Sequence, residues 1–434
     1  MAEYNTVNTF KSFLKTQYAK DVVNTLPMSF KAQRMAPYEG DRGKTGLRIE
    51  QPVVTNMEQG GTYRGPNAGP FDLNKPIAAR ISNMVLDATN FVLNSAIDYE
   101  TLYKSSKGGQ VAYRSGSEQL FRSMVASARK RLEISCWHGQ QGIGIVRLDP
   151  GAGTQAFVDL TNASFAVGNW LGMENAVVHF KDPAGNIRTW VTNADYIAGL
   201  NAAGYTIKSV DPALRRVTFT ANIHADIAVG DELVLSTQFD PEGQSWQDMK
   251  GIYSIANQTT GELFGVPLAN ASTFVPNSYA VGGDLTFDHV QRMAVTSVQK
   301  GLDSAADCCI NNEHWVDLLV EQAAFRQYDG GYSGQIKFIN GDRGIRFLSA
   351  NGVIDIEPSI YVKGGEILLT PKGAWRRIGN SPVTFDLPGV GQNVHNAETV
   401  AGVLFRAYWN QAIVTEQPGH LTVGTGVTAT SFDV

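Results

Sequence analysis

Cysteine is scarce, with three residues in 434, Cys136, Cys308 and Cys309, and that scarcity excludes a disulfide-built scaffold. The adjacent pair Cys308–Cys309 lacks the spacing of a metal knuckle, so all three read as reduced structural thiols. Histidine is equally thin. Its seven residues scatter from His138 to His420 with no His-x-x-x-His pair, which leaves zinc-hydrolase and facial-triad chemistry without ligands at usable spacing. No apolar run approaches the roughly 18 residues of a membrane helix. The opening MAEYNTVNTFKSFLK has no apolar signal core, so cytoplasmic synthesis is the expectation. Neither an internal repeat nor a coiled-coil heptad is present.

Catalytic motifs are missing too. Gly43-Lys44-Thr45 ends like a phosphate-binding loop, but Tyr38 stands where the first glycine belongs and the following LRIEQPVV reads as a strand, not a helix. The pairs Gly142–Gly144, Gly151–Gly153 and Gly389–Gly391 lack the strand–turn–helix setting of a dinucleotide fingerprint and read as turns. No Gly-x-Ser-x-Gly elbow occurs. Asp355 and Glu357 alternate along a strand-like run and would share one face, where two carboxylates without a cleft are ordinarily just solvated. The expectation is a protein that is not an enzyme, with no catalytic, cofactor or metal residues.

What is present is glycine, 44 residues in short turn-like clusters, beside 43% hydrophobic and 18% charged residues. That is the composition of a folded, β-rich chain. The net charge of −5 is uneven. Residues 1–135 carry 18 Lys+Arg against 12 Asp+Glu, net +6, and the remainder 18 against 29, net −11. Head-to-tail contact between copies, or a basic face toward a polyanion, would use that asymmetry; chance composition is the plain alternative.

Residues 8–23 space Phe10, Phe13, Leu14 and Tyr18 like a short amphipathic helix, followed by Pro27, Lys31 and Arg34. Leu47, Ile49 and Val53 alternate as a strand, then MEQGGTYRGPNAGPFDLNKP (57–76) is dense in turn residues. Ala79, Ile81 and Val85 resume the strand pattern. A long hairpin with so few large apolar residues is marginal alone. Arm and hairpin, residues 1–100, are therefore expected to be intersubunit structure. Residues 115–138 are predicted to form a long helix: Ser115 and Glu118 have capping-box spacing, and Leu120, Phe121, Met124, Val125, Ala128 and Leu132 make one stripe ending near Gly139. Arg122, Arg129 and Lys130 fall off the stripe and are candidates for an intersubunit or DNA-facing basic surface. Such contacts would reach phosphates without sequence readout; a solvated helix face is the ordinary alternative.

Beyond it, 143–240 reads as short strands around turns such as Asp182-Pro-Ala-Gly-Asn, with the look of a small barrel or sandwich. A second helix is predicted over 287–304, capped by Asp288, with Val290, Met293, Ala294, Val298 and Leu302 on one face. A third covers 311–326, with Trp315, Leu318, Leu319 and Ala323. From 335 the chain is β again.

This order of parts resembles the tailed-bacteriophage major capsid family, the Hong Kong 97-like shell fold shared with encapsulins. SEQLFRSMVASARKRLEISCWHG is similar to that family's spine helix after its extended loop. KGIYSIANQTTGELFGVPLANASTF, followed by DLTFDHVQRMAVTSVQKG, is similar to the central segment of phage coat subunits. The resemblance implies an α+β subunit divided into an N-terminal arm (1–45), an extended hairpin loop (46–100), a peripheral domain with the spine helix (101–150), a β-rich insertion (151–250), an axial domain (251–335) and C-terminal strands completing both domains (336–434). It implies assembly of many copies, as pentamers and hexamers, into an icosahedral head around double-stranded DNA held by weak non-specific contact. Scaffold, portal and cement proteins are the further partners it implies. The place would be the virion capsid, assembled in the host cytoplasm, with no membrane contact and no cofactor. An encapsulin-like nanocompartment would lack the insertion and need a cargo peptide. A β-rich tail or adhesin protein would be a trimeric rod with repeats.

Overall fold

The computed structural model describes residues 29–40, 49–66, 69–98, 100, 116–148, 155–188, 204–224, 226–240, 245–325, 345–349, 352–386, 395–396 and 402–428. The amphipathic segment 8–23, the cap at Ser115 and the Gly43-Lys44-Thr45 motif lie outside them. Among the described residues the fold is α+β, with one five-stranded and two six-stranded sheets, three two-stranded ribbons and one long helix.

The long helix runs Gly116–His138. No proline or glycine interrupts it after Gly116, and its stripe of 3–4 spacing gives it a side to bury. Leu120, Phe121, Met124 and Ala128 pack on one sheet, where Phe121 meets Phe385 and Phe405 edge-on at 4.9 and 4.8 Å between centroids. From Leu132 to His138 every residue is buried, so the helix passes from the surface of that sheet into the centre of the molecule. It stops where expected. Gly139 donates the last helical bond to the Ser135 carbonyl (2.9 Å), and a side chain there would press on the same carbonyl.

The sheet under the helix is built on Gly402–Thr415. Thr89–Asp98 pairs antiparallel along one edge, from Gln411↔Thr89 to Gly402↔Asp98. Trp375–Thr384 and His395–Asn396 pair along the other, and Tyr38–Gly40 adds in parallel to Arg377–Gly379. Thr89–Asp98 is thus a strand of the body. The separate hairpin consists of Ile49–Asn56 and Arg80–Leu86, registered from Ile49↔Leu86 to Asn56↔Arg80. The expectation that all of 1–100 is intersubunit structure therefore does not hold for 29–40 and 89–98, because alternating Phe91, Leu93 and Ile97 find their burial within the same chain.

Of the two forms left open for the β-rich segment, the strands adopt a barrel. Gly144–Ile145, Glu232–Leu235, Val177–Lys181, Tyr205–Asp211, Arg216–Phe219 and Phe157–Asp159 pair in that order, all antiparallel. The bridge Val146↔Leu160, with Arg147 N–H on the Asp159 carbonyl (2.8 Å) and Thr161 N–H on that of Ile145 (2.9 Å), joins last to first. Among the described strands this closure removes the open edges. Phe180, Tyr205 and Phe219 fill the interior with ring contacts of 5.3–5.8 Å. At the rim Arg216 grips Asp159 through two bonds of 2.7 and 3.0 Å and lies 3.8 Å over the Phe157 ring.

The third sheet is mixed, in the order Asn277–Asp284, Thr422–Thr428, Glu366–Pro371, Ala306–Ile310, Gly352–Pro358, Ile345–Ser349. Helices Phe287–Val298 and Asn312–Phe325 cover one face, burying Val290, Met293, Ala294 and Leu318 against Ile354, Ile356, Ile367 and Leu369. The first of these helices is capped by Thr286, whose hydroxyl accepts from His289 N–H (3.4 Å), and not by Asp288. Two residues further in, Asp288 bonds Arg292 instead. Neighbouring Cys308 and Cys309 point to opposite faces of this sheet and enter different cores. All three thiols are free and buried.

Candidate assembly surface

Two features stand out, one closed and one open. The closed one is the seat of the segment 29–40. Its short helix Lys31–Met35 has four orphan N–H groups at its start. Glu133 of the long helix, fully buried, supplies the acceptor: Ala32 and Gln33 donate to its carboxylate at 2.6 and 3.1 Å, and Trp137 Nε1 donates at 2.9 Å. Burial pushes the Glu133 carboxyl up, and these N–H donors pull it back down. At the other end Arg377 donates to the Ala36 carbonyl (2.7 Å) and to Gln411 Oε1 (2.9 Å). Lys31 bonds the Glu357 carbonyl and carboxylate at 3.0 and 3.1 Å, and Met35 Sδ lies 3.6 Å from Cys309 Sγ. Ala32 and Ala36 are fully buried. Sequence reasoning missed Glu133 and Arg377. The available signal was Glu133 as the one charge in the apolar run Leu132–Trp137.

The open feature is the hairpin. Its base is docked: Met84 and Leu86 are buried, and Val85 N–H donates to the Phe264 carbonyl at 2.8 Å. Past Asn56 and Arg80 the two sides hold together by little more than Gln59 N–H on Ile77 O (3.1 Å) and Asn74 on Thr62 and Gly61 (2.8 Å each). Along it Val54, Met57, Tyr63, Phe71, Leu73, Ile77 and Ile81 are 51% to 102% exposed. These are seven of the fifteen large apolar side chains exposed among the described residues, gathered in 28 positions. Such a concentration on a projecting element marks a surface meant to be covered.

The three basic candidates separate. Arg122 and Arg129 lie on the exposed side of the long helix. Lys130 does not: it is 5% exposed, and its ammonium has no hydrogen-bond acceptor among the described residues. The wheel that set it opposite the stripe assumed one buried face, whereas this end of the helix is enclosed on all sides. Burial pulls its pKa down to about 8, with the neighbouring Arg131 adding to the shift and Glu174 opposing it. Asp355 and Glu357 are paired off, Asp355 with Arg346 (2.9 Å) and Lys372 (2.7 Å), Glu357 with Lys31. No cluster of three or more metal-ligating side chains exists among the described residues. No helix among them is long and apolar enough to cross a membrane.

A two-stranded loop rich in exposed apolar side chains, a long helix beside a sheet, and a mixed sheet carrying two helices are the main parts of the fold. No family model matches the chain, and no curated protein sequence matches it. Among solved structures it is similar to a protein of the cyanophage A-1(L) capsid asymmetric unit, at 9% identity over 98% of this chain and 100% of that one, TM-score 0.56. It is also similar to the capsid of cyanophage P-SCSP1u (10% identity, 96% and 94% covered, TM-score 0.48) and to that of a native GTA particle (9%, 98% and 100%, 0.46). The chain has the Hong Kong 97-like fold of phage capsid proteins.

Proposed function

We propose that this chain is the major capsid subunit of a tailed bacteriophage, a structural protein and not an enzyme, whose copies close into an icosahedral head around double-stranded DNA. The observation that carries the reading is the likeness of fold along 98% of the chain. The exposed apolar hairpin supports it, because a second copy supplies the burial that a lone chain withholds. In this reading the hairpin is the extended loop, Gly116–His138 the spine helix of the peripheral domain, and the mixed sheet with its two helices the axial domain. The barrel is the insertion. Arg122 and Arg129 serve as contacts to neighbouring subunits or to DNA phosphates. Assembly takes place in the host cytoplasm.

Electron microscopy of the expressed chain, alone and with a scaffold, tests this: closed spherical or polyhedral particles are expected. Monomers or fibres under every salt condition would overturn it, and an encapsulin-type compartment would instead show closed particles holding a protein cargo and no DNA. Deleting 57–76 is expected to leave a soluble folded body unable to close stable shells; normal shells from that variant would refute the role given to the hairpin.

A further inference from the structure

Seven residues, Ser359–Gly365, connect two strands of the mixed sheet, Gly352–Pro358 and Glu366–Pro371. They are more than a turn, because each side of this short loop is held by a different part of the molecule. On the barrel side, Gly168 N–H donates to Ile360 O (2.8 Å), Gly364 N–H to Phe165 O (3.1 Å) and Gly365 N–H to Ala163 O (2.9 Å). On the long-helix side, His138 Nε2 donates to Tyr361 O at 2.6 Å, its ring stacked on Tyr253. Below, His314 Nε2 donates to Gly364 O and Asn311 Nδ2 to Val362 O (2.7 Å).

The fit at the barrel leaves no slack. A Cβ on Gly365 would sit 2.6 Å from that of Ala163, and one on Gly168 would sit 2.9 Å from the Ile360 carbonyl oxygen. Tyr361 and Val362 are fully buried, and an Arg215–Glu313 ion pair (3.7 Å) spans the same joint. An inserted domain joined only by its two chain crossings would be free to hinge. Here three backbone hydrogen bonds and close-packed glycines tie it down at a third place, remote in sequence from both crossings.

We propose that Ser359–Gly365 is a splint that locks the barrel to the mixed sheet and to the buried end of the long helix, so that the three move as one rigid body. A partner or load engaging the barrel then acts directly on the sheet, with no hinge to absorb it. The inference concerns the joint alone and does not depend on the shell reading.

Amide hydrogen exchange on the full chain tests it. In the native protein the amides of Gly168, Gly364 and Gly365 are expected to be protected within about tenfold of barrel amides such as Val178 and Leu233, as members of one cooperative unit. Fast exchange at those glycines, with the barrel and sheet each protected, would show a hinge and overturn the proposal. In Gly365→Ala, exchange of 359–365 and of 161–168 is expected to rise together by about tenfold or more, while barrel strands 177–181 and 216–219 keep their protection. A rise confined to 359–365 would likewise overturn it. Should the variant fail to fold, the native measurement decides by itself.

Discussion

Replacing Glu133 with alanine probes the seat of the N-terminal segment most directly. Three donors, the N–H groups of Ala32 and Gln33 and the Trp137 indole, lose their acceptor, the first and last of them in buried bonds and the Gln33 bond part-buried. Each orphaned buried donor costs about 1–3 kcal/mol. Relief from holding a desolvated carboxylate offsets part of that sum. The net expectation is a loss of about 3 kcal/mol, near a hundredfold in an equilibrium constant, and the structure says where it falls. The segment 29–40 is small and is held, apart from this seat, by Glu357, Arg377 and the strand at 377–379, so the loss should show as undocking of Lys31–Met35 more than as global unfolding. Lys31 is only 4% exposed when docked, which shields the Lys31–Ala32 bond from trypsin. Where opening is fast relative to cleavage, the cleavage rate follows the open population. Limited trypsin digestion read by mass spectrometry should therefore show cleavage after Lys31 accelerated by roughly 100-fold in Glu133→Ala. Glu133→Gln, which keeps one oxygen but turns an amide toward the same donors, should fall between. Cleavage within twofold of the unmodified protein, together with an unchanged urea midpoint, would refute the view of Glu133 as the anchor.

Two further predictions concern buried titratable groups. Lys130→Met removes a buried ammonium with no acceptor among the described residues and is expected to stabilise the folded chain by about 1–3 kcal/mol at pH 7. Because burial holds Lys130 near pKa 8, below the unfolded value of 10.5, the unmodified protein should also gain stability as pH rises from 8 to 10.5, a gain absent in the variant. Urea titrations across that range check both, and a destabilised variant would mean that the ammonium has a stabilising partner. His138 is held neutral down to about pH 3 by burial, with Lys363 adding to the shift and the bond to Tyr361 opposing it. The unfolded chain takes up that proton near pH 6.5, so acid favours unfolding. The stability advantage of the unmodified protein over His138→Gln should shrink by about 1.4 kcal/mol per pH unit between 6 and 4. A constant gap would show that the imidazole titrates as if exposed.

Periodicity alone determines much of this molecule. The stripe from Leu120 to Leu132 and the glycine after His138 set the long helix. Alternation at Ile49–Val53 and Ile81–Val85, with the turn-rich stretch between, set a hairpin poor in burial of its own. Both signals are local, because a repeat of 3.6 or 2 positions reports only which side of an element meets an apolar surface. What covers the other sides is not local, and there the tertiary structure decided. Lys130 looked solvated and is enclosed. Glu133, a lone charge in an apolar run, is the buried acceptor for a segment a hundred positions earlier. Residues 89–98 looked like part of the hairpin and pair with 402–411. Barrel closure through Val146 and Leu160, and the grip of Ser359–Gly365 on three other elements, rest on contacts between distant positions whose only trace in the sequence is a few glycines. The apolar stripe chose the elements; the packing of distant segments chose which polar groups they would hide.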